Sequence, residues 1–328
     1  MRFAVAWPRC AIELASGRAR RMADSPLVSV VMPAYNARRY VAEAIESVLS
    51  QTFGDFEFLI VDDGSTDDTG AIVKDFAARD RRIEVITQAN SGVGAALNAG
   101  LERARGRYIA RMDSDDICLP PRFAKQVEYL ERTPQCVLVG SRVMIIDGDG
   151  TSLFEMDSVQ LTHEKIDELL MQARWSIVHP SIMMRAGAVR RIGGYNNDLV
   201  PVEDHDLFLR MAEVGKLANL PDVLLKYRKH PMNSVRVLAD LRVNALKKVM
   251  DAAWERRGIS DRSQYPQILP DVDRDDPQRE IKQKRNWGWQ CLKSGNVAVA
   301  RKYAFSSLRS APLERESWRL MYCALRGH

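Results

Sequence analysis

VSVVMPAYNARRYVAEAIESVLSQTF, residues 28–53, opens on an apolar run and continues with apolar residues at helical spacing. The run 27–33 has strand length and stops at Pro33, whereas Val41, Ala44, Ile45, Val48 and Leu49 recur at the three- and four-residue intervals of one helix face. The same unit repeats downstream. FEFLIVDDGSTDDT (56–69) is a second apolar strand stopped by turn residues, and a helix follows over 67–78. Residues 82–87 read as a third strand, 93–104 as a third helix, and 107–112 as a fourth strand that runs into DSDD. Strands alternating with helices predict a parallel, doubly wound α/β sheet. Ligands of such sheets sit beyond the carboxyl ends of the strands, which singles out Tyr35, Asp62, Asp63 and the acidic cluster at 113–116.

The rest of the chain is less regular. A helix at 123–131 leads to a further strand, a polar linker around DGDGTS (147–152) and a helix at 163–171. SIVHPSIMMR (176–185), a glycine turn at 193–195, a helix over 203–214 and a strand-like run at 223–227 follow. Beyond residue 234 only helical patterns remain, at 238–257, 287–293 and 297–308, with a polar breaker at 266–277. The expected organisation is a tail over 1–24, an α/β domain over 25–234 and a helical extension over 235–328.

Composition narrows the function classes. A hydrophobic share of 46% and a charged share of 28% in 328 residues fit one folded core with an appendage. The net charge of +5 is spread along the chain, so nucleic-acid binding is not implied. Five scattered cysteines without a CxxC pair suggest reduced thiols and a cytoplasmic setting. No apolar run approaches the roughly 20 residues of a membrane span. The first 24 residues carry five arginines and a broken apolar stretch, which fits a tail, or a start upstream of the native Met22, better than a secretory signal.

Four strings, 28–53, 56–69, NSGVGAALNAG (90–100) and ARGRYIARMDSDD (104–116), stand in order ahead of the pair Glu203–Asp204. Together they resemble the family 2 glycosyltransferases of the GT-A fold, over roughly residues 27–234. The resemblance implies a Rossmann-like, mostly parallel sheet flanked by helices. It also implies a nucleotide-sugar donor, inverting transfer to a hydroxyl of a glycan or lipid-linked acceptor, and Mn2+ or Mg2+ as cofactor. By the same resemblance Asp115 ligates the metal, Asp113 lies near ribose and metal, Asp116 is secondary, and His230 in YRKH returns to the metal or diphosphate. Asp204 takes the place of the family's general base.

The chemistry asks for such residues. A departing diphosphate develops negative charge that a hard cation held by carboxylates neutralises, although acidic residues after a strand also form turns and helix caps. Asp63 offers an acceptor to the ring N–H of a base and Tyr35 a flat face for a pyrimidine, which favours uracil or thymine, and so a UDP-sugar ahead of a dTDP-sugar. Asp62 serves the turn or the ribose. Asp204 shares the inward stripe of Leu207, Phe208 and Met211, where a base that removes the acceptor's proton contributes about 10² to 10⁴ in rate; the alternative is that Glu203 and Asp204 only favour the positive end of the helix dipole. His230 is otherwise a surface-loop histidine. His179 fits a structural hydrogen bond or the acceptor side, and Gly193 and Gly194 fit a close backbone approach to the ligand or a plain turn.

Two other functions share this architecture. A sugar nucleotidyltransferase normally carries a glycine-rich basic loop after the first strand, where this chain has PAYN. A catalytically inactive binding protein with a partner-docking extension would have no chemical need for Asp63, Asp113, Asp115 and Asp204 together. In the extension, Arg301, Lys302, Arg309, Arg315, Arg319 and Arg326 lie near Phe305, Leu308, Trp318 and Leu320, a pattern of either a solvated face or peripheral membrane contact.

Overall fold

The computed structural model of the chain describes residues 25–156, 159–230, 239–263, 265 and 278–327. The tail expected over 1–24, the boundary at 234 and the polar breaker at 266–277 lie outside the described residues.

β1 (Val28–Ala34) and β2 (Phe56–Asp62) are buried along their whole length, as strands covered by helices on both faces must be. α1 (Val41–Leu49) turns Val41, Ala44, Ile45 and Val48 inward. α2 (Thr69–Arg79), β3 (Ile83–Thr87), α3 (Val93–Arg103) and β4 (Tyr108–Arg111) complete the order β3-β2-β1-β4, every pairing parallel. Ala34 pairs with Asp62, and Asp62 with Thr87. Tyr35 and Asp63 therefore leave the sheet side by side at its carboxyl edge.

The second half adds β5 (Ile117–Cys118), α4 (Arg122–Arg132), β6 (Cys136–Ile146), β7 (Ser152–Glu155), α5 (His163–Met171), β8 (Met183–Arg185), α6 (Ala186–Arg191), α7 (Glu203–Ala212) and β9 (Lys216–Arg228). β8 pairs antiparallel with both β4 and β6, β6 pairs parallel with β9, and β5 and β7 add antiparallel at β9 and β6. The sheet is thus parallel where the expected repeat is regular and mixed beyond β4. β5, β7 and β8 have two to four residues, too few to show a period of two. β9 begins seven residues before the expected 223. Its first part hides behind Asn219 and Pro221. Exposed Pro221 sits where the pairing jumps from Ser141–Leu220 to Arg142–Val223, a bulge that spares proline a ladder hydrogen bond.

The extension holds α8 (Ala239–Arg256), α9 (Arg279–Lys293), α10 (Val297–Ser310) and α11 (Arg315–Arg326), the last not foreseen. Its helices complete the cores on the two faces of the sheet. Ala245, Leu246, Val249, Met250 and Ala253 of α8 join the cluster that contains Leu207 and Phe208 of α7. Ala300, Tyr303 and Ala304 of α10 and Leu320 and Ala324 of α11 join the cluster under β1 and α1.

The packing of α3 on β1 depends on a missing side chain. A Cβ at Gly100 would stand 2.4 Å from Cγ1 of Val31, with the buried strand behind it. Gly100→Ala is expected to lower the unfolding free energy by about 1 to 3 kcal/mol in a urea titration, the usual cost of overpacking; unchanged stability would show that α3 can withdraw from the sheet.

Candidate active site

The loops after β1 and β2 are clasped together. Ala37 N donates to Thr69 Oγ1 (2.8 Å), Arg38 N to Asp67 Oδ2 (3.3 Å) and Thr66 N to Asn36 Oδ1 (2.8 Å), while Asn36 takes a left-handed φ of 48°. This clasp leaves Tyr35 half exposed, at 50%, as a free aromatic face. Asp63 is buried beside it. Its Oδ1 accepts from Gln88 Nε2 (2.7 Å) and Ser91 N (2.9 Å), and Oδ2 from Gly92 N (2.9 Å). Oδ2 therefore keeps acceptor capacity for one further N–H. Asp62 serves the turn, since its Oδ1 accepts from Ser65 N.

Beyond β4 the chain brings Asp113, Asp115 and Asp116 together, with one ligand atom from each within 4.8 Å of the others. Burial raises the carboxyl pKa of Asp113, an effect that Arg111 opposes and Asp115 reinforces; Asp116 is raised well above its ordinary value by burial and by both neighbours. Asp116 Oδ2 is buried with no hydrogen-bond partner among the described residues. Converging oxygens, mutual repulsion and an orphaned buried acceptor are what a hard divalent cation would relieve, so the residues fit such an ion.

The neighbours hold this cluster in place. His230 Nε2 lies 2.8 Å from Asp115 Oδ2, at the end of the strand that carries it back across the sheet. Arg228, almost fully buried, donates from N to Asp116 Oδ1 (2.8 Å) and from Nε to the Asp115 carbonyl (2.7 Å). Arg111 Nη2 pairs with Asp113 Oδ1 at 2.6 Å, while its Nε and Nη1 are buried without a partner among the described residues.

Within electrostatic reach of both Arg111 and Asp113 stands the amino end of α7. Asp204 is half-buried, and its carboxylate accepts from His205 N (2.7 Å) and from Trp175 Nε1 (3.2 Å). Burial nevertheless raises its pKa. Glu203 is raised to about 7 by burial and by Asp204, and its Oε2 has no partner among the described residues. His179 Nε2 meets the Tyr195 hydroxyl at 2.8 Å, and burial, aided by the Arg111 charge, keeps the imidazole neutral. His179 thus has the structural hydrogen bond expected as one of its two roles. Gly194, with φ of 71°, faces Asn98, whose Oδ1 would lie 2.6 Å from an added Cβ; this packing suffices to require glycine there.

Arg111, Arg228, Gln88 and Trp175 were not singled out beforehand. An arginine inside the apolar run YIARM was the one available signal for Arg111. The assembled edge combines an aromatic face, a buried acceptor, a cation-sized carboxylate cluster and a carboxylate pair of raised pKa. Such an edge can bind a nucleotide diphosphate and accept a proton beside it.

Comparison with known proteins agrees with this geometry. The family model described as Glycosyl transferase family 2 matches residues 29–193. An uncharacterized glycosyltransferase of Methanocaldococcus jannaschii is 37% identical over 209 residues, 62% of this chain and 71% of that protein. The amylovoran biosynthesis glycosyltransferase AmsE of Erwinia amylovora is 35% identical over 206 residues, 62% of this chain and 76% of AmsE. Among solved structures, S. aureus TarS residues 1–349 in complex with UDP-GlcNAc superimposes with a TM-score of 0.56 at 17% identity, covering 92% of each chain.

The raised pKa of Glu203 has a measurable consequence. Its folded value of about 7 lies above its ordinary 4.5, so the stability it permits is full below about pH 4.5 and is lost as pH rises through 7. Glu203→Gln should match the parent near pH 4.5 and exceed it by about 2 to 3 kcal/mol at pH 8 in metal-free urea titrations. A difference independent of pH would mean that Glu203 is ionised in the folded protein throughout.

Proposed function

Because this chain belongs to glycosyl transferase family 2 and is a glycosyltransferase, we propose that it transfers one sugar from a UDP-sugar to a hydroxyl of a glycan or lipid-linked acceptor, with inversion. The observation that carries this proposal is the gathering of Asp113, Asp115 and Asp116 in one cluster, with Glu203 and Asp204 within electrostatic reach of the same Arg111. Asp113, Asp115 and His230 would hold Mn2+ or Mg2+, which, when bound, supplies Lewis acidity to the diphosphate. The chain's own groups do the rest. Tyr35 stacks on the base, and Asp63 Oδ2 accepts its ring N–H. The acceptor oxygen attacks the anomeric carbon as the bond to the diphosphate oxygen breaks, and its proton passes to Asp204. Burial of Asp204 raises its proton affinity toward that of a working base, while the Trp175 indole N–H holds the carboxylate in one orientation. The glycan acceptor is supported by the relative AmsE, named for amylovoran biosynthesis.

The cytoplasm, at the inner face of a membrane, is the proposed location. Free thiols at Cys118, Cys136, Cys291 and Cys323 support the compartment. Among the described residues no helix is long and apolar enough to cross a membrane. Trp318, Tyr322 and Leu325 are exposed at spacings of four and three residues on α11, one amphipathic face, with Arg326 over the Tyr322 ring. Other members of the expected set turn elsewhere: Leu320 is buried, Lys302 binds Asp147, and Arg301 binds the last carbonyls of α11. Vesicles of phosphatidylglycerol and phosphatidylcholine at low salt should sediment the protein, and the double variant Trp318→Ala, Arg326→Ala should reduce the bound fraction several-fold. No binding by the parent refutes the membrane contact.

Two variants separate binding from chemistry. Asp204→Asn should lower turnover by about 10² or more while UDP binding in Mn2+ survives. Asp115→Ala should lose metal-dependent UDP binding in calorimetric titration with the fold intact. Near-parental transfer by Asp204→Asn moves the base elsewhere, with Glu203 and His179 next, and equal competition by GDP or ADP refutes the uracil assignment.

A further inference from the structure

Trp175 marks where the acceptor must lie. Trp175 Nε1 donates to Oδ2 of Asp204, the residue proposed to take the acceptor's proton, so the indole stands beside the place of the incoming hydroxyl. The loop that carries it is tightly specified. Ala173 N donates to Leu170 O and Arg174 N to Leu169 O, which closes α5 with Ala173 at a left-handed φ of 56°, a position normally given to glycine. A non-glycine residue held there is local strain of the kind that gathers at functional sites.

Over the indole, from α8 of the extension, lies Arg242, its guanidinium carbon 4.2 Å from the ring centroid. The side chain is half-buried, and among the described residues it forms no hydrogen bond or ion pair. Stacking occupies only the flat face of the guanidinium, so its five N–H donors remain in the plane. Asp204 does not satisfy it by contact, because the bonds to its carboxylate come from Trp175 and His205 N. A flat, pre-oriented guanidinium with unused donors matches a carboxylate or phosphate in two-pronged geometry.

Resting on the transfer activity proposed above, we propose that Trp175 and Arg242 form an acceptor subsite for a substrate that carries an oxyanion near its reactive hydroxyl. That oxyanion is a sugar carboxylate or the diphosphate of a lipid-linked acceptor. A neutral acceptor would need no cation beside Asp204. An anionic one needs it, because Asp204 and Glu203 would otherwise repel it.

Calorimetric titration of the full chain with UDP and Mn2+ tests the subsite with two probe pairs, glucuronic acid against glucose and geranyl diphosphate against geraniol. At least one anion should bind about 10- to 100-fold more tightly than its neutral partner, and the pair that shows the preference identifies the source of the charge. Arg242→Gln should abolish the preference and Arg242→Lys retain part of it, with melting temperature as the fold control. Absence of a preference in both pairs, or its survival in Arg242→Gln, overturns the subsite. Failure of the parent to hydrolyse any UDP-sugar in Mn2+ would instead count against the transfer activity.

Discussion

Like charges gathered in a desolvated place repel, and the carboxyl edge of this sheet gathers five carboxylates, Asp113, Asp115, Asp116, Glu203 and Asp204, near the buried arginines Arg111 and Arg228. Burial alone raises the proton affinity of Asp113, Asp116, Glu203 and Asp204. Arg111 answers part of that cost, but it bonds only Asp113 and leaves two donors unused. The raised proton affinities record a repulsion that a bound cation or a proton would lower. A fully neutralised network would be more stable and would have less reason to bind anything.

Holding repelling groups close requires a frame that cannot relax, and Arg228 supplies much of it. Besides its bonds to Asp115 and Asp116, it reaches Glu43 of α1 at 2.5 Å and the Asp147 carbonyl at 3.4 Å, and stacks over Tyr40. Asp147 in turn accepts from Tyr303 (2.8 Å) and Lys302 (3.0 Å) of α10, contacts that hold its pKa at about 2 despite burial. A continuous set of hydrogen bonds thus joins the helical extension to the carboxylates after β4. The extension also closes the opposite face through α8, which packs on α7 behind Asp204. Its two ends brace the two acidic groups from behind, which gives the extension a physical relation to the chemistry that its amphipathic pattern alone could not reveal.

How far the site could be read before folding depended on what builds each part. Tyr35 and Asp63 were visible because consecutive residues after each strand define them, and the clasp around them consists of short-range turns whose Asn, Asp, Ser and Thr residues announce themselves. The carboxylates after β4 and the pair opening α7 were visible for the same reason. In the fold, the strands and helices of the alternating half were readable, whereas β5, β7, β8 and the first part of β9 were not. Their pairing is decided by tertiary neighbours and a bulge rather than by periodicity.

The parts that escaped have a common physical character. Arg111, Trp175, Arg228 and Arg242 come from four distant elements and act through side-chain geometry that no local pattern encodes. The donor side can be built from backbone N–H groups, as Ser91 and Gly92 do for Asp63, because the nucleotide's acceptors and donors are fixed. Backbone donors depend on loop conformation and so on short motifs. Trp175 and Arg242 instead meet beside Asp204 through long side chains, whose contacts no loop motif records. The same reasoning explains why the loops after β1, β2 and β4 are legible in one sequence, whereas the contact of α8 with Trp175 exists only in the folded chain.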